Sequence, residues 1–134
     1  MWFAHRLLPA LEFQVEERSI RVRSFAADAP QTRLSEPQIA EFPIDVSGRH
    51  ILVLDYIADT GLTLRLLERH FLERGAVQFD SAALVTKIHP HLSCRPTWEA
   101  LVYEGSDWLF GCGMDIERGL GRQLCDLMAV PPPN

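Results

Sequence analysis

The stretch LDYIADTGLTL, residues 54–64, gathers two carboxylates, two threonines and a glycine between an apolar run and a helical pattern. A turn of that kind, placed just before a helix, is suited to an anion. Helix N-termini expose backbone N–H groups and the positive end of the helix dipole, and so bind phosphate. Gly61 lets the backbone approach a ligand closely, and Thr60 and Thr63 add hydroxyl donors. Asp55 and Asp59 are acceptors for sugar hydroxyls, for a metal ion, or for a proton taken from a base. The plain alternative is that Asp59 and Thr60 only cap the helix. Two acids, two threonines and a glycine are more than a cap needs. The lysine and glycine spacing of a P-loop is absent.

The elements that must position this segment follow from the patterning. Trp2 to Leu11 is amphipathic, with Pro9 weakening the helix. Ser19 to Phe25 alternates apolar and polar residues, as a half-buried strand does. Residues 26–37 carry turn residues without a period and predict a surface loop; 38–44 predict a short strand. Ile51 to Leu54 is a continuous apolar run, expected of a strand covered on both faces, and Asp55 to Gly61 is expected to end it. Thr63 to Arg74 predicts a helix with Leu64, Leu67 and Phe71 on one face, widened by Leu72, and Gly75 as its stop. Ser81 to Thr86 predicts the next strand, with shorter strands at 100–103, 108–112 and 127–130, and a loop or helical turn at 119–123. Strand, loop, helix, strand implies an α/β fold with a parallel sheet. Ligands of such sheets bind beyond the carboxyl ends of the strands, which is where residues 55–63 fall.

The bulk properties narrow the class. A chain of 134 residues suits one domain, 1–134. A net charge of −5 argues against a nucleic-acid partner. No apolar run approaches the roughly 18 residues of a membrane span, so no membrane partner is expected. Cys94, Cys112 and Cys125 match no zinc spacing and are expected to be free thiols in a reducing cytoplasm. His50, His70, His89 and His91 read as surface or strand-end residues; His89-Pro90-His91 lacks further partners at metal-ligand spacing.

ILVLDYIADTGLTL resembles the signature that binds phosphoribosyl pyrophosphate in type I phosphoribosyltransferases: an apolar strand, an acidic pair, two further residues, then Asp-Thr/Ser-Gly-x-Thr. Asp55 matches the first acid and Asp59, Thr60, Gly61, Leu62 and Thr63 the phosphate loop, whereas Tyr56 stands at the second acid, which in the family helps hold ribose hydroxyls or a metal-bound water. SAALVTKIHP resembles the strand that carries the purine-selecting lysine of the hypoxanthine and guanine branch. DWLFGCGMDIE resembles the later segment that covers the purine ring and supplies a magnesium acid, and GRQLCDLMAV resembles the arginine-containing close of the domain. RVRSFA resembles the strand entering the mobile catalytic loop, with Ser24 and Phe25 near a usual Ser-Tyr.

The resemblance implies a type I phosphoribosyltransferase fold, a mainly parallel sheet flanked by helices. It implies transfer of 5-phosphoribosyl from phosphoribosyl pyrophosphate to a 6-oxopurine with Mg2+ as cofactor, and a homodimer or homotetramer. It implies Asp59 as the general base; Asp55, Tyr56, Thr60, Gly61, Leu62 and Thr63 on the phosphoribosyl group; Lys87, Trp108 and Leu109 on the purine; Arg122 on pyrophosphate; and Asp115 on the metal. Read alone, Lys87 is a solvated strand-end lysine, Trp108 core, Asp115 a turn acid and Arg122 a surface charge. Family members begin with a strand and a glycine-containing pyrophosphate loop. Met1 stands where that loop would end and no glycine precedes Gly48, so the expected sheet lacks its first strand and exposes an edge. Tyr56 and that expected loss support an alternative: a catalytically impaired relative that only binds nucleotide. A pyrimidine-operon regulator of the same fold is disfavoured by the lysine-then-tryptophan arrangement and the acidic balance.

Overall fold

The computed structural model describes residues 2–25, 33–41, 44–116 and 119–131. The helix expected over 2–11 is an α-helix, α1, only over Trp2–Leu7, and continues as a 3-10 turn over Leu8–Ala10. Pro9 sits inside that turn, and its missing N–H and fixed φ end the α-ladder. Strands β1 (Arg21–Phe25) and β2 (Arg33–Glu41) pair antiparallel with two register shifts.

The surface loop expected over 26–37 is therefore corrected at its second half. Residues 33–37 belong to β2, while 26–32 lie outside the described residues. Alternation explains the strand, since Pro37 is buried and Ile39 half-buried while their neighbours are exposed. Pro37 is tolerated because, among the described residues, β2 pairs on one side only, so no ladder bond from its nitrogen is required.

The central unit is strand β3 (His50–Ala58), helix α2 (Leu62–Glu73), strand β4 (Gln78–Ile88) and strand β5 (Trp98–Glu104), with the three strands parallel in the order β3-β4-β5. Strand β3 runs past the expected break: Asp55 pairs with Ala83, Ile57 with Val85 and Ala58 with Thr86. Tyr56 and Ile57 are good strand residues, so the two polar positions interrupt the apolar run without interrupting the ladder. A short antiparallel pair, β6 (Trp108–Phe110) and β7 (Met128–Val130), closes the description.

The core lies between α2 and the sheet, where Leu64, Leu67 and Phe71 pack with Val46, Val53, Ala58, Ala76 and Ala83. Phe71 also stacks on Phe79, ring centroids 6.1 Å apart. Helix α2 ends as Gly75 predicts: Gly75 adopts φ 87°, its N–H donates to Leu72 O, and the Ala76 N–H donates to Phe71 O. Leu72 does not widen the buried face. It is 45% exposed, because it lies a further 100° or so around the helix from Phe71. Among the described residues no helix is long and apolar enough to cross a membrane.

The core contrast is measurable. Leu67→Ala is expected to cost about 2–5 kcal/mol of unfolding free energy and Leu72→Ala less than about 1 kcal/mol, read from denaturant midpoints at unchanged slope. Equal losses at the two positions would contradict this packing.

Candidate active site

A cleft of about 780 Å³ opens at the carboxyl ends of β3 and β4. Asp55, Tyr56, Asp59, Thr60, Gly61, Thr63, Lys87, Trp108, Leu109, Asp115 and Arg122 all line it. Of the site residues that the resemblance implied, only Leu62, the first residue of α2, is not part of this lining.

The turn from β3 into α2 is built for close approach. Gly61 is the N-cap of α2 with φ 76°, a left-handed conformation that glycine adopts without penalty. A Cβ at Gly61 would overlap the carbonyl oxygen of Cys94. Ser93 donates from its N–H (2.9 Å) and its hydroxyl (2.8 Å) to Thr60 O, and the Ser24 and Thr63 hydroxyls lie 3.2 Å apart. No side chain among the described residues caps Gly61, and Thr60 Oγ1 accepts the Leu62 N–H only at 3.5 Å. Capping alone therefore does not account for the turn.

Asp59 reaches a partner outside the turn: its Oδ1 lies 2.6 Å from His89 Nε2. Reading His89 as a mere strand-end residue missed this. The available signal was topological, since His89 follows β4 as Asp59 follows β3, and adjacent parallel strands bring their carboxyl ends together. Ser93 and Cys94 were missed for a different reason: only tertiary packing brings their loop against residues 60–61.

The remaining residues arrive from both flanks. Lys87 belongs to β4 and is only 6% exposed, so it is not a solvated strand-end lysine. Ala58 pairs with Thr86, so the next step along each strand brings Asp59 and Lys87 level. Trp108 on β6 is half-buried and donates its indole N–H to Asp115 O at 3.3 Å; Leu109 beside it is buried. Tyr56, on the parity opposite to Val53, accepts the Trp2 N–H at 2.7 Å through its hydroxyl, and a Cβ at Gly113 would overlap that hydroxyl. The tyrosine at the second acidic position thus ties α1 and the 111–114 turn to β3.

The carboxylates are tuned in opposite directions. Burial raises the Asp55 carboxyl above the usual aspartate value of 3.8, against the pull of the Tyr56 and Ile57 N–H groups. Asp115 is held below its usual range, first by the Gly119 N–H on Oδ2 (2.9 Å) and then by Arg122 on Oδ1 (3.0 Å), against some desolvation. The expected metal acid and the expected pyrophosphate arginine therefore face each other as an ion pair. No group of three or more acidic, histidine or cysteine side chains among the described residues is arranged to hold a metal. Mg2+ commonly takes one or two carboxylates and completes its shell with substrate phosphates and water. Asp115 fits that mode, because each of its oxygens retains an acceptor position beyond the one in use.

One cleft thus combines a tight glycine turn at the carboxyl edge of a parallel sheet with a buried lysine and a half-buried tryptophan. The model of the phosphoribosyl transferase domain matches residues 2–113, and the chain belongs to that family. The fold is shared with a Trypanosoma cruzi hypoxanthine phosphoribosyltransferase, a point mutant in a ternary substrates complex (TM-score 0.80, 20% identity, covering 98% of this chain and 71% of that one). It is shared also with a Staphylococcus aureus hypoxanthine phosphoribosyltransferase (TM-score 0.81, 17% identity, 98% and 70% covered). A hypoxanthine-guanine-xanthine phosphoribosyltransferase aligns with TM-score 0.75 at 25% identity, covering 98% of this chain and 73% of that one. Among curated proteins none matches the chain.

The tuning of Asp55 carries a sign. A carboxyl raised in the folded state costs stability above its unfolded value, and the cost disappears as pH falls below both values. Asp55→Asn keeps an acceptor for the Tyr56 N–H and removes the buried charge. The variant is expected to melt above the wild type at pH 7, with the gap shrinking as pH falls toward 3.8. A variant less stable than the wild type at pH 7 would contradict the burial of this charge.

Proposed function

We propose that the chain transfers 5-phosphoribosyl from phosphoribosyl pyrophosphate to a 6-oxopurine (hypoxanthine, guanine or xanthine), a purine salvage reaction. The observation that carries this is the single cleft that collects the phosphate turn, Asp59, Lys87, Trp108, Asp115 and Arg122. Amide hydrogens of residues 60–63 and the Thr60 and Thr63 hydroxyls anchor the 5′-phosphate at the start of α2. Asp55 accepts from the ribose hydroxyls, with Tyr56 beside it. Trp108 covers the purine ring and Leu109 offers backbone groups to its edge. Lys87 donates to the exocyclic oxygen, which disfavours an amino group at that position because an ammonium has no acceptor to offer.

Asp59 takes the proton from the purine ring nitrogen as that nitrogen bonds to the anomeric carbon and the bond to pyrophosphate breaks. Arg122 meets the departing pyrophosphate once it exchanges Asp115 for substrate oxygens. When bound, Mg2+ supplies charge neutralisation on the leaving group; Asp115 is the residue that would hold it. The chain's own contribution is positioning and preorganised charge. Action in the cytoplasm and assembly as a homodimer or homotetramer belong to the same proposal; the free Cys94, Cys112 and Cys125 support the first of these.

A second reading, a relative that binds nucleotide without turnover, is favoured by Tyr56. Its hydroxyl is engaged with the Trp2 N–H at a position where the family carries an acid. One assay separates the two. Purified chain with Mg2+, phosphoribosyl pyrophosphate and each of the three purines is expected to yield the nucleoside monophosphate. Asp59→Asn is expected to lose about 10²-fold or more in turnover while binding of the product stays largely intact. Binding without any turnover in the wild type selects the second reading, and full turnover in Asp59→Asn removes Asp59 from the role of base.

A further inference from the structure

We infer that His89 is a positioning residue for Asp59, holding the base through a hydrogen bond from a fixed imidazole tautomer. The inference rests on the reading of Asp59 as general base and adds a partner to it. His89 directly follows β4, at the first position of a turn closed by the Leu92 N–H on His89 O at 3.0 Å. Pro90 at the second position of that turn presets its φ. The turn aims the ring across the sheet edge at Asp59 and brings the His91 N–H within 3.2 Å of His89 Nδ1.

Those two contacts settle where the ring hydrogen resides. A backbone N–H can only donate, so Nδ1 accepts and bears no hydrogen. The ring N–H is then on Nε2, directed at Asp59 Oδ1 over 2.6 Å. The chain of donors runs from the His91 amide through the imidazole to the carboxylate. The same logic operates where a carboxylate orients a catalytic histidine, with the roles of orienter and base exchanged.

The pair is sheltered, with side-chain exposures of 12% for His89 and 25% for Asp59, so water competes weakly for the bond. Its setting is also stiff. The same β4–β5 loop binds Thr60 O through Ser93 and abuts Gly61 through Cys94. Asp59 is thus fixed on one side by its strand and on the other by the loop that braces the phosphate turn. A base whose carboxylate rotates must be reoriented in every turnover, and a small misplacement of a catalytic group costs rate out of proportion to binding.

The test compares three variants and one spectrum. His89→Ala is expected to lower kcat by at least about tenfold with little change in KM for phosphoribosyl pyrophosphate. His89→Gln, whose amide N–H can stand near the position of Nε2–H, is expected to recover most of that loss. In 15N spectra of the wild type, the His89 ring is expected to show the Nε2–H tautomer, and Asp59→Asn to weaken its retention of that hydrogen. This readout needs no turnover and serves even if the chain only binds nucleotide. Wild-type kcat in His89→Ala together with a dead Asp59→Asn would overturn the role of His89 and leave the base intact. A His89 ring protonated at Nδ1, or averaging between tautomers, would overturn it independently of catalysis. Full turnover in Asp59→Asn would instead defeat the underlying assignment of the base.

Discussion

Gly61 pressed against the backbone of Cys94 is the constraint on which the rest of the structure depends. Only glycine takes φ 76° there without strain and leaves room for the Cys94 carbonyl. That contact closes the turn between β3 and α2, sets the first amides of α2 at the mouth of the cleft, and locks the β4–β5 loop against residues 59–61. The core behind it supplies the rigidity: Leu64, Leu67 and Phe71 fasten α2 to Val53 and Ala83 of the sheet.

The two carboxylates at the cleft are held in opposite ways. Asp55 is carried in surroundings that raise its carboxyl, while Asp115 is drawn down by an amide and a guanidinium. Carboxylates whose surroundings push them apart are a mark of sites that divide tasks between acids. Lys87, nearly fully buried, lines the same cleft as Asp59. Arg122 is the exposed counterpart, 61% exposed in its side chain and paired with Asp115.

Much of this is legible in the amino-acid sequence. The apolar run, the acidic and hydroxyl turn and the 3.6-residue period of α2 are local signals, and they placed Asp55, Asp59, Thr60, Gly61 and Thr63 in one cleft. Local signals failed where context overrode them. Asp55 and Tyr56 look like the end of a strand, yet ladder pairing carries β3 to Ala58. Ser35, Glu36 and Pro37 look like a loop, yet a one-sided pairing accommodates them in β2. Leu72 has the right composition for the core and the wrong azimuth. His89 carried no local sign of its role, because its partner Asp59 is 30 positions away and only the parallel register unites them.

A turn after β3 that recognises a phosphate ester must distinguish a nucleotide from its nucleoside. Calorimetric titration of the chain with inosine monophosphate and, separately, with inosine isolates that group, since the two ligands differ only in the phosphate. Binding of the monophosphate tighter by at least about tenfold, equivalent to about 1.4 kcal/mol, and weakened when Gly61→Ala deforms the turn, is the result this structure predicts. Equal affinity for the two ligands would contradict it.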